Sequence, residues 1–360
     1  MRIDRPQRKP QPPAPLLVGT RLGEFDVRAV LGLGQYGFVY RVWDPESEAE
    51  YAVKEYLPQR LAVRDGAKSV APRSPADAEA FAQGLRFFVD EGKLLSQVRH
   101  PSLVHVYGSW EENGTAYMAM ELVPGRNLHH TLQARGRPPR EGALRAWLDE
   151  LLGALEALHQ AGLQHRDISP PSIVVGPDNR PVLLDLGTPR RVASSRGEGG
   201  PAGPRDGFAA IEQYGNGHGL KRGPWTDVYG LGAVLYLLMT GKPPPPAPQR
   251  AASAEAAVLA WSQAARQRYG LYLVATVEWM LSPRPQDRPQ SVDAVRAALV
   301  DPSRVPARFQ PGLRARLGAQ LRRHRRWLWG LLALLVLAGL AVVAWRLVAS
   351  GQLRLPRWLR

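Results

Sequence analysis

The chain has no cysteine, which removes disulfides and thiolate metal sites from consideration. Its first sixteen residues, Met1–Leu16, are basic and proline-rich but lack an apolar core, so no secretory signal is expected there, and residues 1–18 are expected to be a disordered leader. No internal repeat is evident. Acidic residues are missing from one end only: Pro302 to Arg360 carries twelve arginines and no Asp or Glu. Removing those twelve from the 47 basic residues, against 32 acidic ones, leaves about +3 for the rest of the chain. The net charge of +15 therefore belongs to the C-terminal segment and does not mark the body as a nucleic-acid binder. With 360 residues, 44% of them hydrophobic, and mixed charge, that body is globular and long enough for a full core.

The other conspicuous absence is charge between Trp327 and Trp345, nineteen residues in all. As a helix this run is about 28 Å long, roughly the thickness of bilayer hydrocarbon. Trp327, Trp329 and Trp345 stand at its ends, where interfacial aromatics belong. Six arginines precede it closely (Arg314, Arg316, Arg322, Arg323, Arg325, Arg326) and four follow (Arg346, Arg354, Arg357, Arg360), a bias that favours a cytoplasmic N-terminal side. The expected organisation is a basic juxtamembrane segment at 301–326, a transmembrane helix at 327–347 and a short tail at 348–360. Leu313, Leu317 and Leu321, spaced by four among the arginines, suit an anionic lipid surface. A homodimer is an expected partner, although Gly330 and Gly339, nine apart, form no GxxxG pair.

From Phe25 an apolar alternation runs into a glycine hairpin, with Gly32, Gly34 and Gly37 placed so that backbone amides can approach phosphates. A dinucleotide fold would need a helix next. Instead a second strand follows (Phe38–Val42), then a third at Tyr51–Lys54, with Lys54 seventeen residues after Gly37. The stretch to about Ala76 is polar and without periodicity. Phe81 to Arg99 has the three- and four-residue spacing of a helix, with Glu91 among its apolar positions. A lone buried carboxylate is costly, so Glu91 needs a cation, and Lys54 is the candidate. Strands are expected at Leu103–Tyr107 and Ala116–Glu121, and a long helix at Ala143–Ala161. That helix leads into His165-Arg166-Asp167-Ile168-Ser169-Pro170-Pro171-Ser172. Asp167 and Asp185 lie eighteen residues apart, each beside a short β-prone run, a pattern that can aim two carboxylates into one cleft. One would orient a substrate hydroxyl and the other hold a metal on a nucleotide.

In this order and spacing, the motifs from about Gly19 to Val300 resemble a eukaryotic-type serine/threonine protein kinase. They are most similar to the bacterial branch whose third strand reads Lys-Glu-Tyr-Leu-Pro. The resemblance implies an α+β, two-lobed fold over 19–300: a small, mainly antiparallel β lobe with one key helix (to about 122) and a larger helical lobe (from about 123). It implies ATP with Mg²⁺ or Mn²⁺, unidentified protein substrates, no nucleic acid, and a membrane-anchored kinase facing the cytoplasm. By motif match, Gly32, Gly34 and Gly37 cover the phosphates, and Lys54 pairs with them and with Glu91. Asp167 orients the substrate hydroxyl, and Asp185 binds the metal. Leu31, Val39, Ala52, Met120 and Val174 sandwich adenine, while the Glu121–Val123 backbone pairs with its edge. Glu212 and Arg288 form a buried ion pair. Arg166 is the docking residue for a phosphorylated activation segment, with Ser194 and Ser195 as its sites.

Several positions depart from that family. Ser169 replaces the usual Lys two residues after the catalytic Asp, and Ser172 replaces the second metal-ligating Asn. Arg205 stands where a threonine is usual, and Leu186 replaces Phe. Losing one electrostatic contact to the transferred group weakens catalysis without abolishing it. Two readings follow: a working kinase of reduced rate, or a pseudokinase, a nucleotide-binding membrane scaffold. The first gains if Arg205 puts its guanidinium where the missing Lys would be.

Overall fold

The computed structural model describes residues 14–34, 36–184, 204–215, 219–257 and 259–310, with 334, 337–342 and 346 near the C-terminus. The chain divides into two compact units, Met1–Phe309 and Gln310–Arg360. In the first, an antiparallel sheet is followed by helices. Its strands are β1 (Arg21–Leu22), β2 (Phe25–Gly34), β3 (Gly37–Asp44), β4 (Ala49–Glu55), β5 (Ala62–Asp65), β6 (Ser69–Pro72), β7 (Val106–Glu112), β8 (Thr115–Glu121), β9 (Arg126–Asn127), β10 (Ile173–Val175) and β11 (Pro181–Leu183). Its helices are α1 (Ala78–Leu95), α2 (Leu128–Arg135), α3 (Glu141–Gln160), α4 (Pro224–Thr240), α5 (Ala247–Ala251), α6 (Ala254–Ala257), α7 (Gln263–Arg268), α8 (Leu271–Met280) and α9 (Val292–Val300).

The main sheet runs β1-β2-β3-β4-β8-β7, and its register divides its two faces. Val39 pairs with Lys54 and Lys54 with Met118; Ala52 pairs with Met120. Cross-strand partners share a face, so these residues line one side of the sheet. Tyr40, paired with Val53, faces the other way, as do Glu55 and its partner Tyr117. Asn113 and Gly114, both with positive φ, supply the tight turn between β7 and β8. Helix α1 packs on the lysine face: a Cβ added to Gly92 would lie 3.3 Å from Met118 Cε.

Helix α3 buries Leu144, Leu148, Leu151, Leu155 and Leu158, one stripe at helical spacing. Helix α4 is buried almost all round, so it is the core helix of the helical lobe. A small second sheet, β11-β10-β9, joins the β10–β11 hairpin, which falls between α3 and α4 in sequence, to β9 ahead of α3, and carries the loops on either side of the Ile173–Leu183 hairpin.

Four expectations need correction. The polar stretch before Ala76 holds a regular hairpin, β5 with β6, whose residues turn inward by contacts with the main sheet rather than by any long alternation. The ordered body begins before residue 19: Leu16 is buried, and its amide donates to the Tyr40 hydroxyl (3.1 Å). The first strand of the β7–β8 pair starts at Val106; Leu103 makes only an isolated parallel bridge to Leu183. Helix α1 ends at Leu95, four residues short of Arg99. Among the described residues no helix is long and apolar enough to cross a membrane. Most of the Trp327–Trp345 run lies outside the described residues.

Candidate active site

The loop from His165 to Ser172 hangs on one buried carboxylate at the start of α4. Asp227 accepts the His165 amide at Oδ2 (2.9 Å) and the Arg166 amide at Oδ1 (2.7 Å), and His159 Nε2 lies 2.8 Å from Oδ2. Burial pushes the Asp227 carboxyl up, but the His159 contact and the loop amides outweigh it and hold the group below its ordinary value. Between those amides and Asp167, Arg166 adopts φ +65°, a left-handed conformation that costs a non-glycine residue on the order of 1–2 kcal/mol. Both sides of the residue are fixed: Asp227 takes its N–H, and Gln213 Nε2 donates to its carbonyl (2.7 Å). This backbone turn brings the Asp167 side chain out of the loop.

His165 then ties the two functional loops together. Its Nδ1 accepts the Asp167 amide (3.2 Å), so the proton sits on Nε2, which donates to the Leu184 carbonyl (2.8 Å). The residue before Asp185 is thereby bound to the loop that carries Asp167. The Leu184 amide also donates to the Ser172 carbonyl (2.7 Å).

The two serine departures turn inward. Ser169 is fully buried, so that position offers no cation, and its Oγ has no hydrogen-bond partner among the described residues. Ser172 Oγ accepts the Ser169 amide (3.0 Å) and lies 2.9 Å from the carbonyls of both Asp167 and Ser169. A hydroxyl has one proton and two lone pairs, so most of its capacity is spent inside the loop.

Arg205 supplies a cation instead. Its Nε lies 3.2 Å from Asp167 Oδ1 and its Nη2 3.2 Å from Oδ2, a fork-to-fork pair. The Arg205 side chain is 48% exposed and that of Asp167 25%, so the pair is solvent-screened and adds little to stability. Each carboxylate oxygen keeps a further lone pair for a substrate hydroxyl.

On the sheet, Lys54 and Glu91 are both buried. Met118, the register partner of Lys54, touches α1 at Gly92, beside Glu91, so both charges lie in one packed region. Ala52, Met120 and Val174 are buried, Val39 and Val123 partly so, while Leu31 (50%) and Glu121 are exposed. Gly32 and Gly34 sit at the turn end of the β2–β3 hairpin, and a Cβ on Gly32 would meet nothing within 4 Å. In the helical lobe, Arg288 Nη1 and Nη2 meet Glu212 Oε1 and Oε2 at 2.7 and 3.1 Å, both side chains fully buried. Asp185, Ser194 and Ser195 lie outside the described residues.

Asp227 and Gln213 were missed as site residues. An aspartate opening an apolar helix and a glutamine beside Glu212 are visible in the sequence, but neither announces its partner.

Among the described residues no cluster of three acidic or histidine side chains could cage a metal. A small residue (Ala52) and apolar neighbours on the lysine face suit a flat base next to a charged tail.

A family model described as "Protein kinase domain" matches residues 25–300. The chain is 26% identical over 223 residues to a serine/threonine-protein kinase of Arabidopsis thaliana, AtPK1/AtPK6, covering 62% of this chain and 43% of that one. It is 28% identical over 231 residues to the serine/threonine-protein kinase PknH of Mycobacterium tuberculosis, covering 63% of this chain and 33% of the relative. A solved structure titled "PpkA-294 apo form" superposes with a TM-score of 0.65 at 35% identity, covering 79% of this chain and 99% of that chain. The chain spans less than half the length of the curated relatives it matches first. With most of its length inside the matched domain, this chain belongs to the protein kinase domain family, among the bacterial kinases of eukaryotic serine/threonine type.

Proposed function

We propose that the chain transfers the γ-phosphate of ATP to serine or threonine hydroxyls of protein substrates, with Arg205 standing in for the cation that position 169 lacks. The observation that carries this reading is the Arg205 fork on Asp167, in a loop whose backbone is held by Asp227 and Gln213. Asp167 accepts the proton of the incoming hydroxyl and orients its oxygen, and Arg205 places positive charge beside the transferred group. Lys54, kept in position by the packing of α1 on the sheet, binds the phosphates, with Glu91 as its counter-charge. Magnesium, when bound, neutralises the phosphates; Asp185 would hold it, with Ser172 contributing little because its hydroxyl is engaged in the loop.

The test is transfer of radiolabelled phosphate from ATP to a generic protein substrate, with Mg²⁺ and with Mn²⁺, alongside a nucleotide thermal shift. Incorporation on Ser or Thr that is lost in Asp167→Asn is expected. Arg205→Ala should lower the rate on the order of a hundredfold, the usual loss for one charge-stabilising donor. One observation favours a second reading: Ser172 is occupied within the loop, and Arg205 takes both oxygens of Asp167. If nucleotide binds without transfer, the chain is a nucleotide-binding scaffold.

The same reading puts the kinase domain on the cytoplasmic face of a membrane, with Trp327–Trp345 as its anchor and the flanking arginines against anionic headgroups. Support comes from the length of the uncharged run and the arginine bias. Sedimentation with the membrane fraction, lost on deletion of 327–345, is the expected result.

A further inference from the structure

The residues that follow Lys54, namely Glu55-Tyr56-Leu57, are each fixed in a different direction. Strand alternation puts Glu55 on the opposite face of the sheet from Lys54. There it is fully buried and accepts from Tyr40 (2.8 Å) and Tyr117 (3.1 Å), and Arg64 Nη2 bonds its Oε2 at 2.6 Å. Arg64 belongs to β5 of the hairpin that covers this face. Its other donors reach the carbonyls of Ala14 and Lys68, both at 2.8 Å, and only 4% of its side chain is exposed. Burial would weaken the guanidinium, yet the Glu55 contact raises its pKa.

Tyr56 turns toward α1. Its ring lies 5.4 Å from Phe81 and 5.6 Å from Phe88, and a Cβ on Gly84 would come 2.0 Å from its hydroxyl. Glycine in the middle of a helix costs about 1 kcal/mol relative to alanine. At Gly84 it makes room for this tyrosine. Leu57 points back to the glycine hairpin, its amide donating to the Tyr36 carbonyl (2.5 Å). Gly37, at φ +144°, lies so close that a Cβ there would be 2.1 Å from the Glu55 carbonyl oxygen and 2.7 Å from the Leu57 nitrogen. The third glycine of the hairpin is thus required by segment 55–57, whatever it does for phosphate.

We propose that Glu55–Leu57 is a junction that sets the glycine hairpin, Lys54 and α1 in one geometry, with Glu55 and Arg64 as positioning residues for nucleotide binding. Lys54 reaches the nucleotide face, while Glu55, one residue on, is clamped from behind by Arg64. Releasing that clamp frees the end of β4, and with it the Leu57 bond to the hairpin and the Tyr56 contact with α1. The nucleotide part of this proposal rests on the kinase reading of Lys54; the mechanical part does not.

The experiment uses the full chain with Arg64→Met, which keeps the side chain's bulk but not its charge, and Arg64→Lys, which restores a cation. Amide hydrogen exchange without nucleotide reports the junction directly. In Arg64→Met, exchange should rise about tenfold or more at 55–57 and 31–38 while α3 stays protected, and the Kd for ATP should rise roughly tenfold, as expected for one lost charged hydrogen bond. Arg64→Lys should recover most of both. An even rise in exchange throughout the domain, or none at 55–57 and the hairpin, overturns the proposal. Local loosening with unchanged ATP affinity overturns the positioning role. If the unaltered protein binds no ATP, the kinase reading fails, and the exchange pattern alone decides whether the junction exists.

Discussion

Among the described residues each lobe buries one arginine–glutamate pair, and the two are built for different work. In the helical lobe, Arg288 grips both oxygens of Glu212 and spends its other donors on the carbonyls of Ser282 (2.6 Å) and Pro283 (2.8 Å). Its plane lies 4.7 Å from the Tyr229 ring, and Glu212 also accepts from Thr226 (2.8 Å). The partners are 76 residues apart, so the pair closes a long loop of chain. In the sheet lobe, Arg64 and Glu55 are nine residues apart, and the contact is single-pronged, with two tyrosines completing the carboxylate. The first pair fastens the frame that carries Asp227 and Gln213. The second fastens an accessory hairpin to the strand of Lys54. Burying a charge pair gives little net stability, so each is best understood by what it holds in place.

That comparison can be broken by substitution. Arg288→Ala should have the largest effect, about 3–5 kcal/mol by urea unfolding, because it strands a fully buried carboxylate. A loss below 1 kcal/mol would mean that the pair is not structural. Asp227→Asn comes next, at roughly 2–3 kcal/mol, since one acceptor position becomes a donor facing amides. Its pH sign follows from the depressed pKa. The wild-type contribution is complete above the ordinary carboxyl value of 3.8 and is lost as pH falls below it. The variant should therefore show a flatter acid limb in a stability profile.

Arg64→Met should ease local opening of the sheet lobe by about 2 kcal/mol, less than Arg288→Ala costs, because its partner keeps two tyrosine donors. Adding Glu55→Leu should return part of that loss, since an apolar pair of similar size no longer buries a charge. If the double variant is worse than the single one, the tyrosine contacts matter more than the ion pair. Arg205→Ala is the smallest for stability, within about 0.5 kcal/mol for a half-exposed pair. It should still lower phosphotransfer far more than any surface change, and an unchanged rate would remove Arg205 from the proposed mechanism.

Much of the site could be read along the chain because short spacings encode it. The glycine hairpin, Lys54 and the His165–Asp167 loop occur in runs whose local structure is set by turn residues and strand alternation. The β5–β6 hairpin was hidden, since Ala62–Pro72 is too short and too polar for a periodic signal and is ordered by Arg64 reaching Glu55. Leu16 was hidden because its anchor is distant: its amide donates to the hydroxyl of Tyr40, 24 residues on. The Arg205 fork could be suspected from a missing lysine, but its geometry depends on 38 residues of intervening chain.

By itself the sequence determined the order of the glycine hairpin, the strand of Lys54 and the His165–Asp167 loop, and the placement of arginines at one end of the chain. These follow from side-chain period and turn chemistry, which act over a few residues. The tertiary structure alone decided where buried polar groups found partners: Asp227 under the His165–Arg166 backbone, Gln213 on the Arg166 carbonyl, Arg64 behind Glu55. The physical reason is that a buried charge or amide must be satisfied, and nothing in local sequence says which distant group will do it.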